Sequence, residues 1–180
     1  MNGQGMDKDL RSLLAGRLHE SDIRALGAEA AEDGMLLETL FALCCAPEGA
    51  APDKRTEDNA AWVLTHLPAR CNAWLQERQG VLMDEAIATA NATKRRLVMT
   101  LLARTRFGRD DLRTEFLDFC LARILAADEP VAVRSLGVKL AHRQCVHFPE
   151  LLGELRQTLA FLSGEALKPA LRSAVKKVMG

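Results

Sequence analysis

The chain has 180 residues, 48% of them hydrophobic, and its 24 basic residues equal its 24 acidic ones in number. This length fits one domain or one short array of repeats, and the apolar content is that of a folded protein. A net charge of zero argues against a histone-like polycation or an acidic tail protein. The charges are nevertheless uneven, because residues 1–93 carry 8 Lys/Arg and 15 Asp/Glu, whereas residues 94–180 carry 16 and 9.

The cysteines and the N-terminus indicate a cytoplasmic protein. The number of cysteines is odd and no C-x-x-C occurs, so reduced thiols are expected rather than a disulfide framework. These residues are Cys44, Cys45, Cys71, Cys120 and Cys145. Residues 1–10 lack the apolar stretch of a secretion signal, and no run of about 18 apolar residues predicts a membrane span.

Apolar residues recur with helical spacing along the chain, and no stretch alternates as a strand does. Turn signals at short intervals predict about ten helices joined by short loops. The helices predicted to open each pair are Asp7–Ala15, Met35–Cys45, a longer one over roughly Cys71–Thr89, Leu112–Ala126 and Glu150–Leu162. The apolar residues of Leu112–Ala126 cover more than half of its circumference, so this helix is expected to be buried on two sides.

The second helix of each pair carries an internal repeat. Ile23–Ala28 resembles Val133–Val138, and Ala170–Ser173 resembles Ala132–Ser135. Two weaker copies are Ala60–Leu67, with an apolar stripe of Ala60, Val63, Leu64 and Leu67, and Lys94–Leu101, with Leu97, Val98 and Leu101 in the same places. The equivalent position, called the register position below, holds Arg24, Ala61, Arg95, Arg134 and Arg172, at intervals of 37, 34, 39 and 38 residues. Such spacing is typical of a repeat array, here predicted as pairs near 1–33, 34–68, 69–107, 108–145 and 146–180.

One segment resembles a known repeat family. Residues 128–134 read Asp-Glu-Pro-Val-Ala-Val-Arg and are followed by Leu136, Gly137 and Leu140. This resembles the acidic-Pro turn of HEAT repeats and the Val-Arg that opens their second helix. The resemblance implies an all-α, right-handed α-solenoid of about five HEAT-like helix pairs in a single domain. It also implies that the second helices line a concave groove.

Two sets of side chains follow from that resemblance. Arginines at the register position, Arg24, Arg95, Arg134 and Arg172, usually tie loops and neighbouring repeats together in HEAT-like arrays; direct contact with a ligand is the alternative. Residues one, five and eight places further on point away from the buried stripe. The expected groove residues are Trp62, His66, Arg96, Thr100, Ser135, Lys139, His142, Ser173 and Lys177. Trp62 is either a binding anchor or a packing residue.

The sequence offers little for metal binding or catalysis. His142, Cys145 and His147 form H-x-x-C-x-H, but on a continuous helix residue 147 points away from the other two and no second cluster completes four ligands. We therefore expect no metal and no cofactor. Asp110–Asp111 is interpreted as the cap of the next helix. No motif of nucleotide binding, nucleophilic catalysis or metalloprotease activity occurs, so an enzyme is not expected.

The favoured function is a non-catalytic protein–protein interaction scaffold with a charge-polarised groove, which would bind a protein or peptide through an acidic segment. The alternative is nucleic-acid binding through the basic C-terminal repeats, as in HEAT proteins that resemble DNA glycosylases. Because the two ends of the chain carry opposite charges, head-to-tail self-association is a third hypothesis. Because the terminal helices look amphipathic and able to act as caps, a monomer or weak dimer is expected. The sequence does not name the partner.

Overall fold

The computed structural model describes residues 3–46, 53–162 and 167–180, with side chains from residue 8 onwards. Within these ranges the chain forms eleven α-helices, two short 3-10 helices and no strand. The α-helices are α1 Gly3–Ala15, α2 Glu20–Ala30, α3 Gly34–Cys44, α4 Lys54–Thr65, α5 Asn72–Glu77, α6 Gln79–Ala88, α7 Ala92–Leu102, α8 Thr114–Leu125, α9 Val131–Cys145, α10 Pro149–Leu162 and α11 Pro169–Met179. The 3-10 helices are Ala69–Cys71 and Arg109–Asp111.

The helices stack as an α-solenoid. The second helices α2, α4, α7, α9 and α11 form a continuous row in which each contacts the next, called the second-helix row below. The first helices lie against this row, with α3 on α4, α6 on α7 and α8 on α9. The predicted all-α solenoid of helix pairs is therefore confirmed, whereas the repeat boundaries stay a prediction.

The core lies between the row and the first helices. The predicted stripes of α4 and α7 are buried, including Val63 and Leu64 on α4 and Leu97 and Leu101 on α7. A single helix pair could not bury these stripes, so each neighbouring pair supplies part of the wall. Fully buried Phe116 of α8 continues the same core.

Short polar side chains cap several helices. The carboxylate of Asp33 accepts from the N–H groups of Met35 and Leu36 at the start of α3. Asn91 accepts from the N–H of Thr93 at the start of α7. These bonds satisfy N–H groups that have no partner within the helix.

The long helix predicted over roughly Cys71–Thr89 is wrong, because the chain breaks at Arg78 into α5 and α6. The N–H of Arg78 bonds to Leu75 O in a 3-10 pattern, and its guanidinium lies 4.0 Å from the ring centroid of Trp74. Gln79 is buried and its amide donates to Arg106 O. Contacts with distant residues therefore override a helical pattern that continues in the sequence.

The predicted faces of α9 also need correction. Ser135, expected in the groove, is buried, whereas its neighbour Leu136 is only half-buried. The reason is that α9 contacts α7, α8, α10 and α11 and is therefore enclosed over most of its circumference. Its exposed strip is narrow and contains Ala132, Lys139 and Arg143.

Two glycines at equivalent places in the repeat mark close helix contacts. A Cβ on Gly137 would lie 3.1 Å from Ile124 Cγ1 and 3.2 Å from Cys120 O of α8. A Cβ on Gly27 would lie 3.3 Å from Val63 O of α4. The Leu-Gly similarity that reveals the repeat therefore has a steric cause, although the two glycines meet different neighbours.

None of the helices in the described part of the chain combines the length and apolarity that crossing a bilayer requires.

Candidate functional site

The arginines at the register position all bond within the chain. Arg95 donates from Nη1 to Glu129 Oε1 and from Nη2 to Thr89 O, both at 2.8 Å. Glu129 lies in the turn before α9, so this ion pair joins two successive helix pairs. Glu129 is buried and also accepts from Arg123 Nη1 at 2.9 Å.

The other three arginines make local bonds. Arg134 is buried, and its Nε donates to Ile124 O at 2.9 Å. This bond joins the C-terminal end of α8 to α9. Arg172 donates to Leu167 O at 2.8 Å in the turn before α11. Arg24 is exposed and pairs with Glu20 one helical turn away.

A buried ionic cluster lies between α4, α6 and α7. Lys94 is 2% exposed, and its Nζ lies 2.7 Å from Glu85 Oε1 and 3.1 Å from Glu57 Oε2. Burial alone would lower the pKa of Lys94, but hydrogen bonds and charges from the two carboxylates outweigh it and raise that pKa. Burial raises the pKa of Glu85. Sequence patterns missed this cluster because Lys94 occupies a stripe position where an apolar residue is expected.

The two aromatic groove candidates lie together on α4. Trp62 is half-buried and packs against the core, so it is not a fully exposed anchor. The His66 ring lies edge-on to it, with centroids 6.2 Å apart, and Nδ1 of His66 is 3.1 Å from Trp62 O. The indole therefore both packs and presents part of its surface.

The polar groove candidates lie on α7, α9 and α11. Arg96, Lys139 and Lys177 are exposed. Thr100 is half-buried and donates its hydroxyl to Arg96 O at 2.8 Å. His142 is half-buried, and burial, assisted by the charges of Arg156 and Arg143, lowers its pKa.

Arg143 brings α7 and α9 together at their C-terminal ends. Its Nη1 donates to Ala103 O at 2.6 Å and to Thr105 O at 3.3 Å. Lys139 precedes Arg143 by one helical turn, and Thr100 precedes Ala103 by about one turn. The structure therefore places Thr100 and Lys139 on neighbouring parts of one surface, although they are distant in sequence.

In the last three helix pairs, charge separates between the first and the second helices as well as along the chain. Helices α7, α9 and α11 together contain nine Lys/Arg and no Asp/Glu. Helices α6, α8 and α10 contain six Asp/Glu and two Arg. Counting the charges of each helix separately reveals this pattern, whereas dividing the sequence into two halves conceals it.

Four of these nine cations are exposed and, within the described residues, have no bonding partner. The other five bond to carboxylates or carbonyls of the chain as described above. The four are Arg96, Lys139, Lys176 and Lys177. They are the exposed, unpaired cations of the second-helix row and are called the basic face below.

The H-x-x-C-x-H residues do not converge on one point. Cys145 is buried, and burial raises the pKa of its thiol to about 11. His147 Nε2 lies 3.0 Å from Phe107 O. In the described ranges no three His, Cys, Asp or Glu side chains are grouped so as to hold a metal ion. All five cysteines are free thiols, and Cys45 is half-buried whereas the other four are buried.

The expected capping role of Asp110–Asp111 needs correction. Asp111 Oδ2 accepts from the N–H of Gly108 at 2.7 Å and so closes the 3-10 turn over Arg109–Asp111. The N-cap position of α8 is Arg113, which makes no side-chain cap bond. A 3-10 turn inserted before α8 separates these carboxylates from the helix that they were expected to cap.

The family model described as HEAT repeat domain matches residues 10–180. Neither the search of curated proteins nor the search of solved structures returned a significant match. HEAT repeats generally serve as protein-interaction scaffolds and are typically non-catalytic. With a helical solenoid in the structure and a family match over nearly its whole length, the chain belongs to the HEAT repeat family.

Proposed function

We propose that this protein is a non-catalytic scaffold that binds the acidic segment of a partner protein on its second-helix row. The observation that carries the proposal is the absence of Asp and Glu from α7, α9 and α11. Four exposed cations on the second-helix row attract a negatively charged segment and repel a positively charged one. Such complementarity favours orientation and rate of association more than affinity.

The acidic N-terminal half supports a defined direction of binding. Residues 1–93 carry 15 Asp/Glu against 8 Lys/Arg, so a partner's acidic segment is repelled from that end. An elongated array keeps the two regions apart, so they do not neutralise each other as they would in a globule. The partner's acidic segment is therefore expected to lie towards residues 130–180.

Trp62 and His66 supply the apolar component of this surface. They lie on α4, which contacts α7, and so adjoin the basic face at its N-terminal side. A half-buried indole combines a fixed position with exposed apolar area, and Trp is enriched among residues that dominate binding energies. A partner segment with an aromatic or aliphatic residue beyond its acidic stretch suits this arrangement.

The test is the binding of a fluorescein-labelled, glutamate-rich peptide of about 15 residues, followed by fluorescence anisotropy at low salt. Lys139→Glu/Lys177→Glu should weaken binding at least about tenfold, equivalent to about 1.4 kcal/mol. The matched control is Lys8→Glu/Arg17→Glu, which changes the net charge equally at exposed sites outside the row. Equal losses in both variants would show that only net charge matters and would refute the proposed surface.

Nucleic-acid binding is the second candidate, because the same acid-free helices would attract phosphates. Within the described residues only four of the nine cations lack an internal partner, and the N-terminal half is acidic. A long polyanion would therefore make few phosphate contacts. A labelled 20-base-pair duplex should then show weak binding or none at low salt. Tight binding that falls by orders of magnitude between 50 and 200 mM salt would instead favour this candidate.

A further inference from the structure

A pocket of about 410 Å³ lies where α7 and α9 end, called the end pocket below. Its lining includes Arg104, Thr105, Arg106, His142, Arg143 and Val146. Three arginines and one histidine therefore line the space, and its lining residues include no Asp or Glu. Like charges gathered around a cavity raise the positive potential inside it and favour an anion there.

Two of the three guanidinium groups have donors to offer a ligand. Arg143 bonds through Nη1, while its Nε and Nη2 have no partner among the described residues. The Arg106 side chain is exposed and likewise unbonded within the described ranges. Arg104 is different, because its Nε and Nη2 donate to Asn72 Oδ1 at 3.0 and 2.6 Å. It contributes charge to the end pocket rather than hydrogen bonds.

The backbone that carries Arg106 is fixed. Its N–H donates to Gln76 Oε1 at 2.7 Å, and its carbonyl accepts from Gln79 Nε2 at 2.7 Å. Thr105 Oγ1 donates to Leu102 O and accepts from Gln79. The break between α5 and α6 thus supplies the side chains that hold this loop. Because the loop is held in place, a ligand would order only the side chain of Arg106, and fewer ordered groups make binding less costly.

The end pocket has an apolar side and favours a singly charged anion. Val146 is 48% exposed, whereas Phe107, which also lines the pocket, is buried. The carbonyls of Ala103 and Thr105 face Arg143 at the C-terminal end of α7, where the helix dipole is negative. These partial negative charges oppose a phosphate dianion more strongly than a carboxylate.

We propose that the end pocket receives one Asp or Glu side chain of the partner's acidic segment, bonded by Arg106 and Arg143, with a neighbouring apolar residue resting on Val146. The proposal rests on the proposed function of the second-helix row. Guanidinium groups bind carboxylates through paired, charge-assisted hydrogen bonds. Lys139, one turn before Arg143, makes the pocket continuous with the basic face.

The experiment uses short probes and the whole protein labelled with ¹⁵N. N-acetyl-Glu-Leu-amide should shift the amide signals of residues 103–107 and 142–146, whereas the Gln-Leu counterpart should not. Arg106→Gln should weaken binding of the Glu probe about tenfold, because one charge-assisted interaction is lost. Arg17→Gln, an exposed arginine at the other end of the chain, should leave it unchanged. Arg106 makes no side-chain bond in the described residues, so its replacement should not disturb the fold.

The outcomes separate this proposal from the proposed function. Suppose that Lys139→Glu/Lys177→Glu weakens binding of the long acidic peptide while the Glu probe leaves the amide signals of the end pocket unchanged. The proposed scaffold function is then supported and the proposed pocket is refuted. Suppose instead that the Glu probe binds in the end pocket but the long peptide binds the charge-reversal variant as tightly as the original protein. The proposed pocket is then supported and the role of the basic face is refuted. Tighter binding of an N-acetyl-phosphoserine-Leu-amide probe would overturn the choice of a carboxylate.

Discussion

Single buried charges connect successive helix pairs of this protein. Lys94 joins α7 to Glu57 of α4 and Glu85 of α6, and Glu129 joins the turn before α9 to Arg95 of α7. Lys94 occupies a stripe position of the repeat, and Glu129 is an acidic residue of a loop. Each is buried only because another helix pair packs over it. Buried ions left without their partners are costly, so these residues fix how the pairs stack.

Lys94→Met should therefore lower the free energy of unfolding by about 3 kcal/mol, because Glu57 and Glu85 would face each other without a cation. Urea unfolding followed by circular dichroism gives the value. Lys139→Met, at an exposed site, should change it by less than about 0.5 kcal/mol. The triple variant Lys94→Met/Glu57→Gln/Glu85→Gln should recover part of the loss. A stability of Lys94→Met equal to that of Lys139→Met would contradict the ionic cluster.

His142 should make stability depend on pH. Burial, together with Arg156 and Arg143, lowers its pKa in the folded state below the value of about 6.5 expected when unfolded. Protonation therefore favours the unfolded chain, so the contribution is fully present above about pH 6.5 and is lost as pH falls. Thermal unfolding at several pH values should show a smaller rise in stability from acid to neutral pH for His142→Asn. Carboxylates such as Glu85 titrate in both proteins and therefore contribute equally to both pH profiles. The same rise in stability for both proteins would exclude this role of His142.

At the scale of helices, close packing depends on glycine as well as on apolar stripes. Gly137 lets α9 approach α8, and Gly27 lets α2 approach α4. Periodicity identifies which face of a helix is apolar, and it predicted the buried stripes of α4 and α7 correctly. It did not predict the break at Arg78 or the enclosure of Ser135, because both depend on which helices come to lie beside α5 and α9.

Gly137→Ala should destabilise the protein by about 1–3 kcal/mol, because the added methyl meets Ile124 and a carbonyl of α8 at close range. Gly153→Ala is the matched control within α10, where no atom lies within 4 Å of the added Cβ. It should stabilise the protein by about 0.5–1 kcal/mol, since alanine favours the helix. Calorimetric unfolding of both variants measures the difference. A stabilising effect of Gly137→Ala would show that α8 and α9 have room to separate.

Across the whole molecule, the solenoid turns a charge asymmetry of the sequence into two separated surfaces. The basic face lies on the second-helix row, whereas the described acids of the C-terminal half lie on first helices and loops. Opposite charge at the two ends could still join molecules head to tail. Most exposed residues of α11 are polar, including Arg172, Ser173, Lys176 and Lys177, and a largely polar exposed surface suits a terminal helix that caps the array.

We therefore expect a monomer, or at most a weak dimer, even at low ionic strength. Sedimentation velocity at about 0.01 M salt, where screening extends over about 30 Å, is the most demanding condition. A single slow species at increasing protein concentration is the expected result. Species that grow with concentration and disappear at high salt would instead establish end-to-end association.

The sequence by itself determined the helical class, the repeat near residues 23, 133 and 171, the HEAT-like turn before Val131 and the uneven charge. These features are local or periodic, so short stretches of chain encode them. Tertiary structure alone decided which cations remain free, where Lys94 finds its carboxylates and how Arg106 and Arg143 meet at one pocket. Such properties depend on pairs of residues about 30–40 positions apart, because stacking brings each residue against the equivalent part of the next repeat.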